Sequence, residues 1–396
     1  MKYQAVLILF LAVGAFRCSN DADPAADKAN FTKIYDNNTF ETSYYPIDMV
    51  QTPDGGYLIL GGRSLTGSDF SGIYLMKVDE SGAFVSDQNV SSDNVDPIGR
   101  ILAANNQYYF FCMTAVGLQS QLVSMDGNGT IGQIVNVSGT SPAAAAQDDN
   151  NFLLLSYDNV NKQSLVSVIT PAGAVSQSKG YSIGAGDAVE APIINHFIRT
   201  GRQFPFQVGK TLSGQYFFNG FYNYTFSLVF TDLSSDEPLG VVQGQQDNGG
   251  FSQVMPLSAN QYAAARFNFG DNFILPQTTL TASGTSSSTD LGGNTFPELT
   301  ANAPVKIITA TINTKPVLLY GSNTKSKQIA LYAYDQASGV FLGSKYLGFS
   351  NPFEIASMIV TTDGGVAICG TTYVAGRFPR ICLFKLSKDV LASAFH

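Results

Sequence analysis

From residue 31 onward the chain alternates short apolar stretches with polar, glycine-bearing breaks, and within each stretch the apolar positions tend to recur every second residue. "PIDMVQT" runs through Pro53-Asp54-Gly55-Gly56 into "YLILGG", then a polar loop "RSLTGSDFSG", then "IYLMKVDESGAF". Successive side chains of a strand point to opposite faces, so Leu58 and Leu60 share one face. An Asp-Gly or Asn-Gly step supplies the positive φ of a tight hairpin. The pattern predicts three strands joined by two turns, with "AFVSDQNVS" as a fourth, outer strand.

The phrase returns near the end of the chain as "FEIASMIVTT", "DGG", "VAICGT", "TYVAGRFPR" and "ICLFKLSKD", in the same order, with Lys385 standing where Lys77 stood. Asp54 and Asp363 are 309 residues apart (363 − 54). Five fainter copies lie between, beginning at "ILAANNQYYFFCM", "AAAAQDDNNFLLLS", "GKTLSGQYFFNG", "VMPLSANQYAAARF" and "VKIITATINTKPVLLYG". Six steps give about 51 residues per unit, within the period of propeller blades. A closing D-x-x-G at Asp79–Gly82 and Asp126–Gly129, one residue longer at Asp335–Gly339, marks the turn into each outer strand.

One four-stranded sheet cannot bury its own faces, whereas seven packed radially shield one another and leave only short edges. The chain resembles the seven-bladed β-propellers with "DGGY" repeats found in bacterial secreted proteins and lipoproteins, over nearly everything after residue 30. The resemblance implies an all-β, seven-bladed β-propeller of four-stranded antiparallel blades, a single domain over residues 31–396. It implies a fold and no particular activity. The last unit has only the poor match "VLASAFH" for its outer strand, so the expectation is that "NFTKIYD", Asn30 to Asp36, completes it and ties the termini together. Residues 181–208 and 283–302 interrupt the repeat and are expected to be loops or a longer outer strand.

The first residues read differently. Lys2 precedes a 12-residue apolar run, Ala5 to Phe16, too short to span a bilayer and suited to an export signal over residues 1–17. Cys18 followed by "SNDADPAAD" resembles the start of mature bacterial lipoproteins, especially outer-membrane lipoproteins of the Bacteroidetes type. That resemblance implies lipid attachment at Cys18, a flexible tether over 18–30, and an outer-membrane or cell-surface location. Phe16 and Arg17 depart from the small residues usual before such a cysteine. The alternative is cleavage after Ala15, giving a soluble secreted or periplasmic protein.

Composition agrees with many short strands: 38 Gly, 13% charged residues and 44% hydrophobic. The formal charge is −8, and losing Lys2 and Arg17 with the leader makes it −10, which repels a phosphate backbone and argues against nucleic acid. Chemistry-bearing residues are sparse. His196 and His396 are the two histidines, and no G-x-S-x-G elbow accompanies them, so a Ser/His/Asp hydrolase finds no support. No metal site is expected, because the cysteines lack a C-x-x-C pair and His196 lacks a partner at helical spacing. Cys369 and Cys382 flank a hairpin loop symmetrically, which admits a cross-strand disulfide, although two buried thiols are the favoured reading. Neighbouring carboxylates such as Asp148 and Asp149 read as turn residues.

The aromatic content, 28 Phe and 19 Tyr with no Trp, remains. Most should fill the spaces between blades, as Tyr108, Phe110 and Phe217 would. By propeller analogy the loops between second and third strands gather on one face beside the channel. These loops carry Arg63 and Asp69, Tyr222 and Tyr224, Arg266 and Asp271, and Tyr373, Arg377, Phe378 and Arg380, the candidate binding residues. The expected function is non-catalytic binding of a protein or glycan at the envelope by a monomer, with no cofactor and with membrane attachment through the lipid. The alternatives are an extracellular polysaccharide-acting enzyme using paired carboxylates near the central channel, and a structural scaffold in an envelope complex.

Overall fold

The computed structural model describes residues 27–36, 42–374 and 378–395. Among them the pairing resolves into seven four-stranded antiparallel units. One eight-stranded sheet is the first two units, joined by the single pair Gly72↔Val95. The first strands of the units are Tyr44–Gln51, Asn94–Ala104, Pro142–Asp148, Gln207–Lys210, Gly249–Pro256, Val305–Ile312 and Phe353–Val360. All seven line one central cavity. The protein has the β-propeller fold.

The alternation in the sequence is what holds the ring. Tyr57 and Ile59 pack with Ala367, Cys369, Ile381 and Leu383 of the last unit, while Leu58 and Leu60, on the other face, pack with Phe110, Cys112 and Val123 of the second. Each further junction has its own apolar cluster, and the cluster of the last two units leads back to the first. Phe110 and Phe217 are buried as expected, and Tyr108 is partly so. At about 25 cal/mol per Å² of apolar surface, these clusters are the main favourable term of the fold.

Closure follows the expected strand exchange. Phe31–Tyr35 pairs antiparallel with Phe378–Leu386 as the outer strand of the last unit. Asn30 Oδ1 accepts from Ser387 N at 2.8 Å, and Arg380 Nε donates to Asp36 Oδ1 at 2.9 Å. The segment after Leu386 is not a strand. Ser387 caps a short helix, α2 (Lys388–Ala394), whose Leu391 is buried at the junction of units six and seven.

Two expectations need revising, and on a third the structure agrees with the favoured reading. Residues 181–208 hold a helix, α1 (Asp187–Phe197), which buries Val189, Ile193 and Phe197 at four-residue spacing. Its sequence hid it, because Gly186 gives no side-chain cap and Pro192 interrupts it. Residues 283–302 are mostly loop, as one of the two expected readings had it, but they also contribute two short strands. Gly284–Ser287 pairs in parallel with Gly240–Gln243 of unit four, and unit five is completed by only Asn294–Thr295. Finally, Cys369 pairs with Leu383 and Cys382 with Gly370, so the two thiols fall on opposite faces of their sheet and are free. A one-residue offset of register turns a side chain to the other face, which removes the disulfide geometry that symmetry in sequence had suggested. The expected leader, Cys18, the segment through residue 26, Arg377 and His396 lie outside the described residues.

Candidate functional site

In an antiparallel four-stranded unit the connections between second and third strands, and from each unit to the next, emerge on one face. The hairpin turns between first and second strands emerge on the other. The first group forms the loop face, and the sequence-named residues occur there in three states. Asp69, Tyr224 and Asp271 are exposed, whereas Arg63, Tyr222, Tyr373 and Phe378 are partly buried near strand ends. Arg266 and Arg380 are buried. Arg266 stacks 3.8 Å over Phe273 and donates to Gly292 O at 2.9 Å, so the 283–302 segment covers it. Arg380 is bound by Asp36 and by Thr42 O. These two guanidinium groups brace the fold and present nothing to a partner.

Besides polar residues such as Asp69 and Asp271, the loop face presents large apolar side chains. Val116 (89% exposed), Val160 (83%), Phe269 (70%) and Phe349 (85%) stand at its tips, with Tyr224 and Ile194 beside them. Phe269 and Tyr224 hold φ of 47° and 72°, in the left-handed region that costs bulky residues most and that Asn or Gly would occupy freely.

The connection carrying α1 crosses the channel mouth on this face. Glu190 accepts from Tyr157 Oη at 2.6 Å and pairs with Lys162 in unit three. Arg199 stacks 4.5 Å over Tyr45 of unit one, and Arg202 lies 4.1 Å over Phe267 of unit five. Beneath it Phe204 joins Phe221, Phe226 and Phe267 in one cluster with the helix. His196 belongs to this packing. Its Nδ1 accepts from Phe204 N at 3.0 Å, and burial, helped by the charge of Arg199, pushes its pKa down to about 3, so it stays neutral. Near the same mouth Asp96 has φ 47°, accepts from Ser71 N at 2.8 Å, and is pushed up to about 6 by burial, against the opposing pull of Ser71 and Arg199.

Below lies the central cavity, about 460 Å³. Five of the seven inner strands break register at the same depth, at Pro46/Asp48, Ile98/Leu102, Pro142/Ala144, Phe251/Gln253 and Ile355/Ser357. Such bulges bend a strand and re-aim its residues. Here they turn Ile47, Gly99, Arg100, Ala143 and Ser252 toward the axis. Asp48 is the single carboxylate of the lining and is already engaged, accepting from Ser357 Oγ at 2.6 Å and from Ile101 N at 2.7 Å. Two cations share the cavity with it, Arg100 and Lys306. Neither was singled out from the sequence. The signal available there was a cation interrupting an apolar inner strand, "GRILAA" and "VKIITATI". Among the described residues no group of three or more His, Cys, Asp or Glu is placed to hold a metal ion.

Neither a protein-family model nor a curated protein matches the chain. Solved structures do match it. The Dos1 propeller is 9% identical over 80% of this chain and 74% of its own, with a TM-score of 0.45. The WD40 domain of Toxoplasma gondii coronin is 11% identical over 91% and 77%, with a TM-score of 0.43. A protein of unknown function from Bacteroides caccae is 10% identical over 80% and 83%, with a TM-score of 0.36. At such identities the likeness is one of fold alone.

Proposed function

We propose that the protein is an exported, lipid-anchored envelope module of the "DGGY" propeller type that binds a protein or glycan on its loop face without transforming it. The observation that carries this reading is the set of apolar tips on that face, Val116, Val160, Tyr224, Phe269 and Phe349. Large apolar side chains at loop tips add nothing to a core, and aromatic residues are the type most enriched where proteins meet partners. The left-handed backbone of Tyr224 and Phe269 strengthens the point, because a turn built only to reverse the chain would not carry rings there. The lone, engaged carboxylate of the cavity supports binding over acid-pair hydrolysis, which needs two carboxyl groups about 5–9 Å apart.

The test applies the full chain to arrayed polysaccharides and to intact cells deleted for its gene. Wild type is expected to be retained, and a Phe269→Ser/Phe349→Ser variant with an unchanged melting temperature to bind at least tenfold more weakly. Equal binding by the variant rejects the loop face. Turnover of an arrayed polysaccharide that is abolished by Asp48→Asn would make the protein an enzyme.

A further inference from the structure

Arg100 and Lys306 line the open channel, where Arg100 is exposed and Lys306 half-buried. A protein with a formal charge of −8 has ample carboxylates to neutralise two inward cations, yet only Asp48 reaches the lining, where each of its oxygens already accepts one hydrogen bond, from Ser357 and from Ile101. Among the described residues the side chains of Arg100 and Lys306 make no hydrogen bond or ion pair, although the backbone of Lys306 pairs with Gly321. An ammonium carries three donors and a guanidinium five, so up to eight N–H groups line the cavity without a protein acceptor. Burial lowers the Lys306 pKa; the attraction of Asp48 opposes this and the charge of Arg100 adds to it, so the two cations feel one another. The amide of Gln253, also in the lining, makes no side-chain hydrogen bond either. Two cations facing a single carboxylate leave an excess of positive charge in the cavity, which an oxyanion accepting from both would offset.

We propose that the central cavity is a binding site for a small molecule bearing an oxyanion, a carboxylate or a sulfate, held by Arg100 and Lys306. The cavity volume, about 460 Å³, suits a ligand of monosaccharide scale and not a polymer. This site is separate from the loop face and goes beyond the function proposed above. The α1 connection covers one mouth. At the other end the turns between first and second strands are only two to five residues long, so no long hairpin turn crosses that mouth.

The experiment is calorimetric titration of the full chain at low ionic strength with sodium glucuronate, with sodium sulfate, and with glucose as the neutral control. Saturable binding of glucuronate, none of glucose, and at least a tenfold loss in Arg100→Gln is the expected result. Sulfate binding more weakly than glucuronate identifies an organic acid as the ligand, and sulfate binding as tightly identifies the inorganic ion. Lys306→Met is the second variant, and Arg100→Gln keeps the test decisive if that substitution unfolds the chain. No saturable heat with either anion, equal heats for glucose and glucuronate, or unchanged affinity in Arg100→Gln overturns the proposal.

Discussion

Lys77 and Lys385 explain why the chain repeats its phrase. Lys77 is 3% exposed, and its ammonium donates to Asp54 at 2.9 Å and to Thr52 Oγ1. Lys385 does the same with Asp363 at 2.7 Å and Thr361 at 2.6 Å. The turn must therefore place a carboxylate over a buried ammonium. Gly55 supplies φ 83°, and at Gly56 a Cβ would collide with Val78 O and crowd Lys77 Nζ. Asp54 itself is 58% exposed. The two partners should consequently differ when removed. Asp54→Ala strands a buried ammonium and is expected to cost about 3 kcal/mol, whereas Lys77→Met leaves a hydrated carboxylate and costs about 1 kcal/mol, read from urea unfolding. Equal costs would contradict the clamp. The hydrogen bond from Lys77 holds Asp54 down at about 2, so this contribution is present above the ordinary value near 3.8 and is lost as pH falls toward 2. Asp54→Asn should flatten that acid limb. This clamp was legible as a recurrence of T-x-D-G-G and a later lysine. The direction of Arg266 and Arg380 was not, because membership of a loop says nothing about which way a side chain turns.

At the scale of elements, most of the strands were readable because alternation and turn chemistry agree with burial between neighbouring units. Elements went unread where that agreement fails. α1 lacks a capping residue and contains Pro192, yet four-residue spacing of Val189, Ile193 and Phe197 was there to be found. The bulges that turn Arg100 and its neighbours inward leave no mark in sequence, since the extra residue is set by how two strands pair. The closing strand is the element on which the ring depends. Removing residues 30–37 deletes the pairing of Phe31–Tyr35 with Phe378–Leu386, strips Asp36 from buried Arg380, and exposes an edge of the last unit. The expected outcome is loss of the cooperative thermal transition, followed by circular dichroism. A deletion that melts like wild type would mean that the last unit closes by itself.

The whole molecule has two unlike faces, and the position of its N-terminal segment relates them. Phe31 pairs with Lys385 and Tyr35 with Ile381, so the first strand starts on the hairpin-turn face and runs toward the loop face. Asn30 is tied to Ser387 and Lys28 to Glu80, both on the hairpin-turn face. A lipid on Cys18 would be joined to that face by about ten residues, a reach of at most about 36 Å even if fully extended. The hairpin turns would then rest toward the bilayer while Val160 and Phe269 point away, as the proposed binding of an external partner requires. Because Cys112, Cys369 and Cys382 are buried, an introduced exposed thiol can be labelled selectively. Leu212 marks the hairpin-turn face and Val160 the loop face, and both are well exposed. The full chain is first shown to incorporate a palmitate analogue, with incorporation lost in Cys18→Ala. Leu212→Cys and Val160→Cys are then labelled with a fluorophore in vesicles containing quencher-bearing lipids. Leu212→Cys should be the more strongly quenched. Equal quenching, or stronger quenching at Val160→Cys, would place the apolar tips at the membrane and make a bilayer, not a protein or glycan, the surface they meet.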